Sequence, residues 1–178
     1  MEKEGKENKF PGQVTKVIYV GIDNGLNGGI VAIDNNQEVV DKMVMPTIKL
    51  KRREFDVRQI IIFFRNLMAR FDKIYVVLEK SHVRPVSGKV ACFTTGFGYG
   101  MFQGILGTLK ISYEIVGPKV WQRKLLKDLS GDTKEASIMF CKHKWPEEDW
   151  TPTERSRKAH DGLTDAAAMA IYCYRLNR

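Results

Sequence analysis

The feature that most constrains the fold is an apolar strand that ends in a carboxylate and then turns back through glycines. The run at 16–23 ends in Asp23, and the glycine turn after it leads into a second apolar run at 29–33. The Asp-Asn-Asn cluster at 34–36 is typical of a tight turn, so we expect a third strand at about 38–45. These residues predict an antiparallel meander with Asp23 at one edge.

Helices and strands alternate in the rest of the chain. The predicted elements are a helix at 54–71, a strand at 73–79, a glycine-rich helix at about 93–109, a strand at 111–116, helices from Pro118 and at 133–142, a loop at 144–160 and a final helix at 162–174. This order predicts a mixed sheet in an α/β layer fold. A right-handed crossover would set the strand ending in Glu79 parallel to the strand ending in Asp23, with their tips adjacent.

Two more carboxylates stand at the start of the last helix. Asp161 and Asp165 are four residues apart, so both project from one helix face. Carboxylates that converge at a buried strand edge repel one another unless a cation compensates them. Mg²⁺ prefers oxygen ligands, and two such ions about 4 Å apart can activate water and stabilise the leaving oxygen of a phosphodiester. Asp23, Glu79, Asp161 and Asp165 therefore predict the site of a metal-dependent nuclease.

Each of these residues also has a purely structural interpretation. Asp23 could be a turn former, and Glu79 could be a solvated strand end. Asp161 is a good N-cap for the last helix, and Asp165 lies in the first turn, where the helix dipole favours anions. His160 could orient a water or a phosphate, or it could be a surface histidine.

Charge and composition favour a polyanionic partner and an intracellular setting. Lys and Arg outnumber Asp and Glu by 29 to 21, a net charge of +8, which favours nucleic acid through counterion release. The three distant cysteines fit a reducing compartment and core packing rather than disulfides or zinc. There is no apolar run of the ~20 residues that a membrane span requires, and no secretory signal. We expect a disordered tail at 1–15 and a single domain at 16–178, in a soluble intracellular protein.

Basic and aromatic residues follow the candidate acidic residues along the chain. The candidate DNA contacts are Lys119, Arg123, Lys124, Lys127 and Lys134 in the helical region after the fifth strand, and Arg84, Lys89, Phe93, Phe97 and Tyr99 after Glu79. Cations would bind phosphates, and aromatic rings could stack on bases. A solvated helix face and core packing are the alternatives. The basic connector at 49–53 is either solvated or a backbone contact.

Six short motifs occur in the order of a known family. They are Gly-Ile-Asp-Asn-Gly at 21–25, Val-Leu-Glu-Lys at 77–80, Gly-Tyr-Gly at 98–100, Val-Gly-Pro-Lys-Val-Trp at 116–121, Asp-Thr-Lys-Glu-Ala-Ser at 132–137 and His-Asp-Gly-Leu-Thr-Asp-Ala-Ala at 160–167. Each motif alone is weak, but the ordered set resembles the RuvC-type Holliday junction resolvases, notably the phage and organellar branches within the RNase H-like superfamily. The likeness covers about 16–174.

The resemblance implies a three-layer RNase H-like fold, with a five-stranded sheet ordered 3-2-1-4-5 and helices on both faces. It also implies a homodimer that binds a four-way DNA junction and nicks opposed strands with two Mg²⁺ or Mn²⁺ ions per site. The catalytic set that it implies is Asp23, Glu79, Asp161 and Asp165. Asn24 departs from the family, where proline is common. The spacing of four in the last pair, against three in many bacterial members, makes His160 an alternative third ligand to Asp161.

Three other functions remain open from the sequence. One is another RNase H-like nuclease, for instance one that cuts the RNA strand of a hybrid or other branched DNA. The second is an actin-like ATPase or sugar-kinase domain, since Gly21-Ile22-Asp23 followed by glycines also begins such folds; those need a second lobe and a second phosphate loop. The third is a catalytically silent DNA-binding module, against which the complete acidic set argues.

Overall fold

A five-stranded mixed sheet with helices on both faces forms the core of the molecule. The computed structural model describes residues 15–82, 86–127, 129 and 133–178. The strands are β1 (Val17–Asp23), β2 (Gly29–Ile33), β3 (Val39–Val44), β4 (Thr47–Lys49), β5 (Arg53–Phe55), β6 (Lys73–Glu79) and β7 (Ser112–Val116). The helices are α1 (Val57–Arg70), α2 (Lys89–Thr108), α3 (Pro118–Leu125), α4 (Thr133–Lys144) and α5 (Asp161–Leu176). The expected tail lies almost wholly outside the described residues.

The predicted strand order is confirmed. The large sheet runs β3-β2-β1-β6-β7, in which β1, β2 and β3 pair antiparallel and β6 and β7 pair parallel to β1 and to each other. This is the expected 3-2-1-4-5 order once the separate hairpin of β4 and β5 is left out of the numbering. Side chains alternate between the faces of each strand, so one sheet buries two cores. One core lies under α3, α4 and α5, and the other lies under α1 and α2.

The largest departure from the predicted elements is at the start of the first helix. The stretch at 53–55, expected to be connector and first helical turn, is instead β5, which pairs antiparallel with β4. The helix begins at Val57 because the side chain of Asp56 accepts a hydrogen bond from the Gln59 amide (3.1 Å) and caps the helix there.

The long loop before α5 is anchored by tryptophans. The Trp145 indole donates to the Gln37 carbonyl (2.8 Å), in the turn between β2 and β3. Trp150 is buried beside it, and its carbonyl accepts from the His160 amide (2.7 Å). These contacts therefore fix the position at which the chain leaves the loop and begins α5. Among the described residues no helix is long and apolar enough to cross a lipid bilayer.

Helix α5 lies in direct backbone contact with β1 and the glycine turn. A Cβ atom on Gly21 would lie 2.0 Å from the Ala166 carbonyl oxygen, so only glycine permits this approach. At the start of the helix, Gly162 forms a parallel bridge with Gly28, and a Cβ on Gly162 would lie 2.2 Å from the Asn27 carbonyl oxygen. These contacts hold the first turn of α5 against the end of β1.

We expect Gly21→Ala to destabilise the protein by on the order of 3 kcal/mol, because the added methyl group meets the backbone of a packed helix that cannot easily move away. Gly117→Ala is the matched control. Gly117 has extended backbone angles, and a Cβ placed there would meet only open space, so this change should alter stability by less than about 1 kcal/mol. Urea unfolding of the two variants measures both effects, and equal stabilities would show that the close contact does not matter.

Candidate active site

The ends of two parallel strands bring the first two carboxylates together. Ile22 of β1 is in register with Leu78 of β6, so Asp23 and Glu79 follow side by side at the same edge of the sheet. Helix α5 adds the third carboxylate, Asp165, one turn after its backbone contact with the glycine turn. One oxygen of Asp165, Oδ1, is buried. Asp23 and Asp165 both lie close enough to Glu79 to affect its ionisation.

The pKa of Glu79 reflects its burial and the two neighbouring carboxylates. The pKa of Glu79 is raised from 4.5 to about 7, mainly by burial and also by the neighbouring charges of Asp23 and Asp165. A hydrogen bond from the Trp121 indole to Glu79 Oε1 (2.9 Å) acts in the opposite direction and lowers the pKa. The site therefore holds a carboxyl group that binds a proton easily unless a cation compensates its charge.

Trp121 was expected only to give α3 an apolar side. It is fully buried, and its indole N–H is the donor that fixes the orientation of the Glu79 carboxylate. The sequence signal for this role is weak: a tryptophan one turn into a helix that follows a strand of the same sheet. A buried indole needs a hydrogen-bond acceptor, and here the nearest suitable one is the candidate metal ligand.

Asn24 also does more than shape the turn. Its side chain donates to the Glu79 carbonyl (2.8 Å) and accepts from the Ser81 hydroxyl (2.7 Å). It is buried and so ties the end of β1 to the end of β6 immediately beyond the two carboxylates. A proline at this position could not make either bond. The departure from the family pattern therefore fixes the spacing of Asp23 and Glu79.

The start of α5 corrects one structural alternative. The N-cap is His160 and not Asp161, because His160 Nδ1 accepts the Leu163 amide hydrogen (3.2 Å) and Asp161 is already the first helical residue. Burial lowers the pKa of His160, the adjacent Asp161 raises it, and Arg53 lowers it. With Nδ1 engaged in the cap, any ion would have to bind His160 through Nε2. Asp161 lies beside His160, one helical turn before Asp165.

The donor set suits Mg²⁺ held partly by water. Within the described chain, no three His, Cys, Asp or Glu side chains are placed closely enough to bind one ion as they stand. Mg²⁺ does not require such a cage, because it keeps several waters and is usually held by one or two carboxylates together with substrate phosphate. Asp23, Glu79 and Asp165 supply hard oxygen ligands whose mutual repulsion a divalent cation would relieve.

Helix α3 and the turn after it carry the expected basic residues. Lys119, Arg123, Lys124 and Lys127 are all exposed, and the Lys124 ammonium also lies over the Tyr172 ring (5.2 Å). Because α3 is linked to Glu79 by the indole, this surface has a fixed position relative to the carboxylates. Its contact with DNA stays a prediction.

The candidate DNA contacts that follow Glu79 along the chain differ in their exposure to solvent. Lys89 and Phe93 are exposed on α2, and Phe93 stacks on Phe97 with ring centroids 6.2 Å apart. Tyr99 is half-buried and packs against the core under α1 and α2. Arg84 and the side chain of Lys134 lie outside the described residues. None of these contacts is tested by the fold.

Comparison with known proteins supports the fold. No protein-family model and no curated protein matches the sequence. In structure the chain is similar to T. thermophilus RuvC in complex with Holliday junction substrate (TM-score 0.59, 14% identity, 90% of this chain and 96% of that chain). Another T. thermophilus RuvC structure gives a TM-score of 0.55 at 14% identity with the same coverage.

The yeast mitochondrial Holliday junction resolvase Ydc2 is similar as well (TM-score 0.56, 15% identity, 90% of this chain and 78% of that chain). At these identities the likeness shows the fold. The RuvC-like α/β architecture expected from the ordered motifs is therefore confirmed.

We expect Glu79→Gln to stabilise the metal-free protein at pH 8 and not at pH 4. The folded-state pKa of Glu79, about 7, lies above the ordinary 4.5, so its stabilising contribution is complete below pH 4.5 and is lost as the pH rises through 7. Glutamine can still accept from Trp121 but carries no charge. The gain at pH 8 should be on the order of 2 kcal/mol.

Urea unfolding at the two pH values in the presence of chelator measures this difference. Glu114→Gln is the control, because Glu114 is an exposed carboxylate on the adjacent strand β7. Its effect should be small and should vary little with pH. A Glu79→Gln effect of the same size at pH 4 and pH 8 would contradict the raised pKa of Glu79.

Proposed function

We propose that this chain is a structure-selective endonuclease that resolves four-way DNA junctions by metal-dependent hydrolysis of phosphodiesters. The observation that carries the proposal is the gathering of Asp23, Glu79 and Asp165 at one sheet edge of a RuvC-like fold. Two of the structural neighbours, by their titles, are a RuvC bound to Holliday junction substrate and a mitochondrial Holliday junction resolvase. Branched DNA is therefore the substrate class that the fold favours.

In this proposal Asp23, Glu79 and Asp165 would hold two Mg²⁺ or Mn²⁺ ions, and Asp161 or His160 would complete the set. Bound ions would supply a nucleophilic water and stabilise the leaving oxygen. The protein contributes positioning. Trp121 orients the Glu79 carboxylate, and the short contacts of α5 fix Asp165. Partial burial keeps competing water away from the carboxylates and strengthens their hold on a cation.

The basic surface of α3 would hold the DNA backbone beside this site. Lys119, Arg123 and Lys127 follow one another at intervals of four residues, which places them along one side of the helix and the turn after it. Phosphate contacts fix the register of DNA on a protein and carry no sequence information, which suits an enzyme that selects substrates by branching.

Among the alternatives, a nuclease for RNA–DNA hybrids needs the same acidic residues and differs in the substrate. An ATPase of the actin type needs a second lobe, and the described residues form one five-stranded sheet and a small hairpin. The direct test is to incubate the protein with labelled four-way junction, linear duplex and RNA–DNA hybrid, with Mg²⁺ and with chelator.

We expect paired nicks in the junction alone, dependent on Mg²⁺ or Mn²⁺ and slowed on the order of 100-fold or more by Asp165→Asn. The reason is that even the outer partners of metal ligands contribute 10- to 100-fold. Asp41→Asn is the matched control, since Asp41 lies on β3 and its ion pair within the described residues is a long one, with Arg70 (3.6 Å). Preferential cutting of the hybrid, or equal rates for the two variants, would overturn the proposal.

We also propose that the active form is a homodimer, as paired nicks require two active sites. The outward side of α2 supports this. The exposed glycines of this side, which have open space around them, are Gly96, Gly100, Gly104 and Gly107. A row of exposed glycines permits the backbone of a second helix to approach closely.

We expect Gly100→Arg to convert a dimer into a monomer, because the new side chain would stand in the middle of this surface. Arginine favours helix more than glycine does, so α2 should persist. Ala91→Arg, on a different side of the same helix, is the control and should leave the dimer intact. Sedimentation velocity at micromolar concentration separates the outcomes. A monomeric wild-type protein, or a dimeric Gly100→Arg variant, would contradict the assignment.

A further inference from the structure

The hairpin of β4 and β5 is a short two-stranded ribbon apart from the main sheet. Thr47 pairs with Phe55 and Lys49 with Arg53, and the Leu50 amide donates to the Arg52 carbonyl (3.0 Å) across the turn. The residues at 48–54 are all exposed. An isolated two-stranded hairpin is marginally stable in water, so its position depends on how it is attached.

The attachment is to the edge of the sheet that carries the carboxylates. The Met45 amide donates to the Gly28 carbonyl (3.0 Å), and the Arg53 guanidinium donates to Asn27 Oδ1 (2.6 Å) and to the Leu26 carbonyl. All three acceptors belong to the turn that immediately follows Asp23. Arg53 is also close enough to His160 to lower its pKa. The hairpin therefore stands beside the candidate active site.

Its exposed charge is strongly positive. Lys49, Lys51, Arg52 and Arg53 stand against a single acid, Glu54, which leaves a charge of +3 on a seven-residue stretch at 48–54. The salt bridges of the described chain, Lys42–Glu148 and Arg70–Asp41, involve none of these cations. Arg53 donates hydrogen bonds to the glycine turn. Lys49, Lys51 and Arg52 are exposed on the hairpin.

This ribbon also forms one wall of a groove beside α2. Arg52, Arg53 and Phe55 line one side of a cavity of about 410 Å³, and Phe93 and Phe97 of α2 line the other. The hairpin side carries two cations, the single acid Glu54 and the Phe55 ring, and the α2 side carries two further aromatic rings. Nucleic acid offers both the phosphates and the flat bases that such a surface fits, whereas an acidic protein segment would satisfy only the cations.

We propose that the β4–β5 hairpin is a DNA-backbone clamp, in which Lys49, Lys51 and Arg52 bind phosphates of the strand that passes the carboxylates. This inference rests on the proposed function, and it adds a second phosphate-binding element to the surface of α3. The clamp is tied to the catalytic edge through Arg53 and the turn after Asp23. Phosphate contacts made there position the DNA relative to the carboxylates.

The test is the salt dependence of four-way junction binding by the full chain with Lys49, Lys51 and Arg52 all changed to Gln. Binding is measured in Ca²⁺, a hard cation that promotes binding without requiring cleavage. Each phosphate contact contributes about 0.9 to the slope of log affinity against log salt, so the slope should fall by about 2 to 3. Affinity at about 0.1 M salt should fall on the order of 100-fold.

Two controls isolate the cause. Lys16, Lys73 and Lys110 are exposed at the opposite ends of the strands, so changing these three to Gln removes the same charge and should leave the slope nearly unchanged. Leu50→Ser alters the 59% exposed tip without changing its charge and should also preserve the slope. Circular dichroism shows that each variant is folded.

An unchanged slope in the hairpin variant would overturn the clamp and would leave an acidic protein partner as the alternative for this surface. An equal loss in the hairpin and control variants would overturn it too, because it would show a general charge effect. A failure of the proposed function can be distinguished from a failure of the clamp. If the wild-type protein binds and nicks no branched DNA, the junction assay already shows this before any hairpin variant is made.

Discussion

The contact on which the rest of the site depends is the backbone approach of α5 to β1 and its glycine turn. Gly21 and Gly162 allow carbonyl oxygens to come where any Cβ would collide, at 2.0 and 2.2 Å. No side-chain packing could bring a helix so near a strand. As a consequence, Asp165, near the start of α5, reaches Asp23 and Glu79 on the sheet. The geometry of the candidate site is thus set by two strands and a helix, β1, β6 and α5, and does not depend on loop conformation.

This geometry is unfavourable for the protein without a cation. Burial and two neighbouring carboxylates raise the pKa of Glu79 to about 7, and only the Trp121 hydrogen bond opposes them. Native proteins retain such repulsion where function requires it, and the surrounding structure must hold it in place. Here the buried Asn24, bonded to the Glu79 carbonyl, and the fully buried Trp121 provide that support. A cation that relieved the repulsion would strengthen the fold and complete the site together.

The sequence predicted the sheet well because its strands are marked by physical signals that survive folding. Apolar runs bounded by turn residues predicted the ends of β1, β2 and β6 to within one residue. The expected right-handed crossover between β1 and β6 predicted that Asp23 and Glu79 would lie next to each other. The hairpin at 47–55 was missed because its strands are three residues long and charged, so no alternation stands out. The cap of α5 was missed because histidine is an unusual cap, and only the folded loop shows that its Nδ1 faces the helix amides.

The sequence by itself determined which carboxylates stand at strand tips and at a helix start, since spacing and periodicity are local properties of the chain. Which polar groups support those carboxylates was decided only by the tertiary structure. Trp121 is separated from Glu79 by 42 positions and Asn24 from Glu79 by 55, so their hydrogen bonds exist only after the strands have paired. The same holds for Arg53, whose bonds to the turn after Asp23 span 26 and 27 positions. Hydrogen bonds of this kind depend on the distance between atoms in space, which a pattern of residues along the chain does not contain.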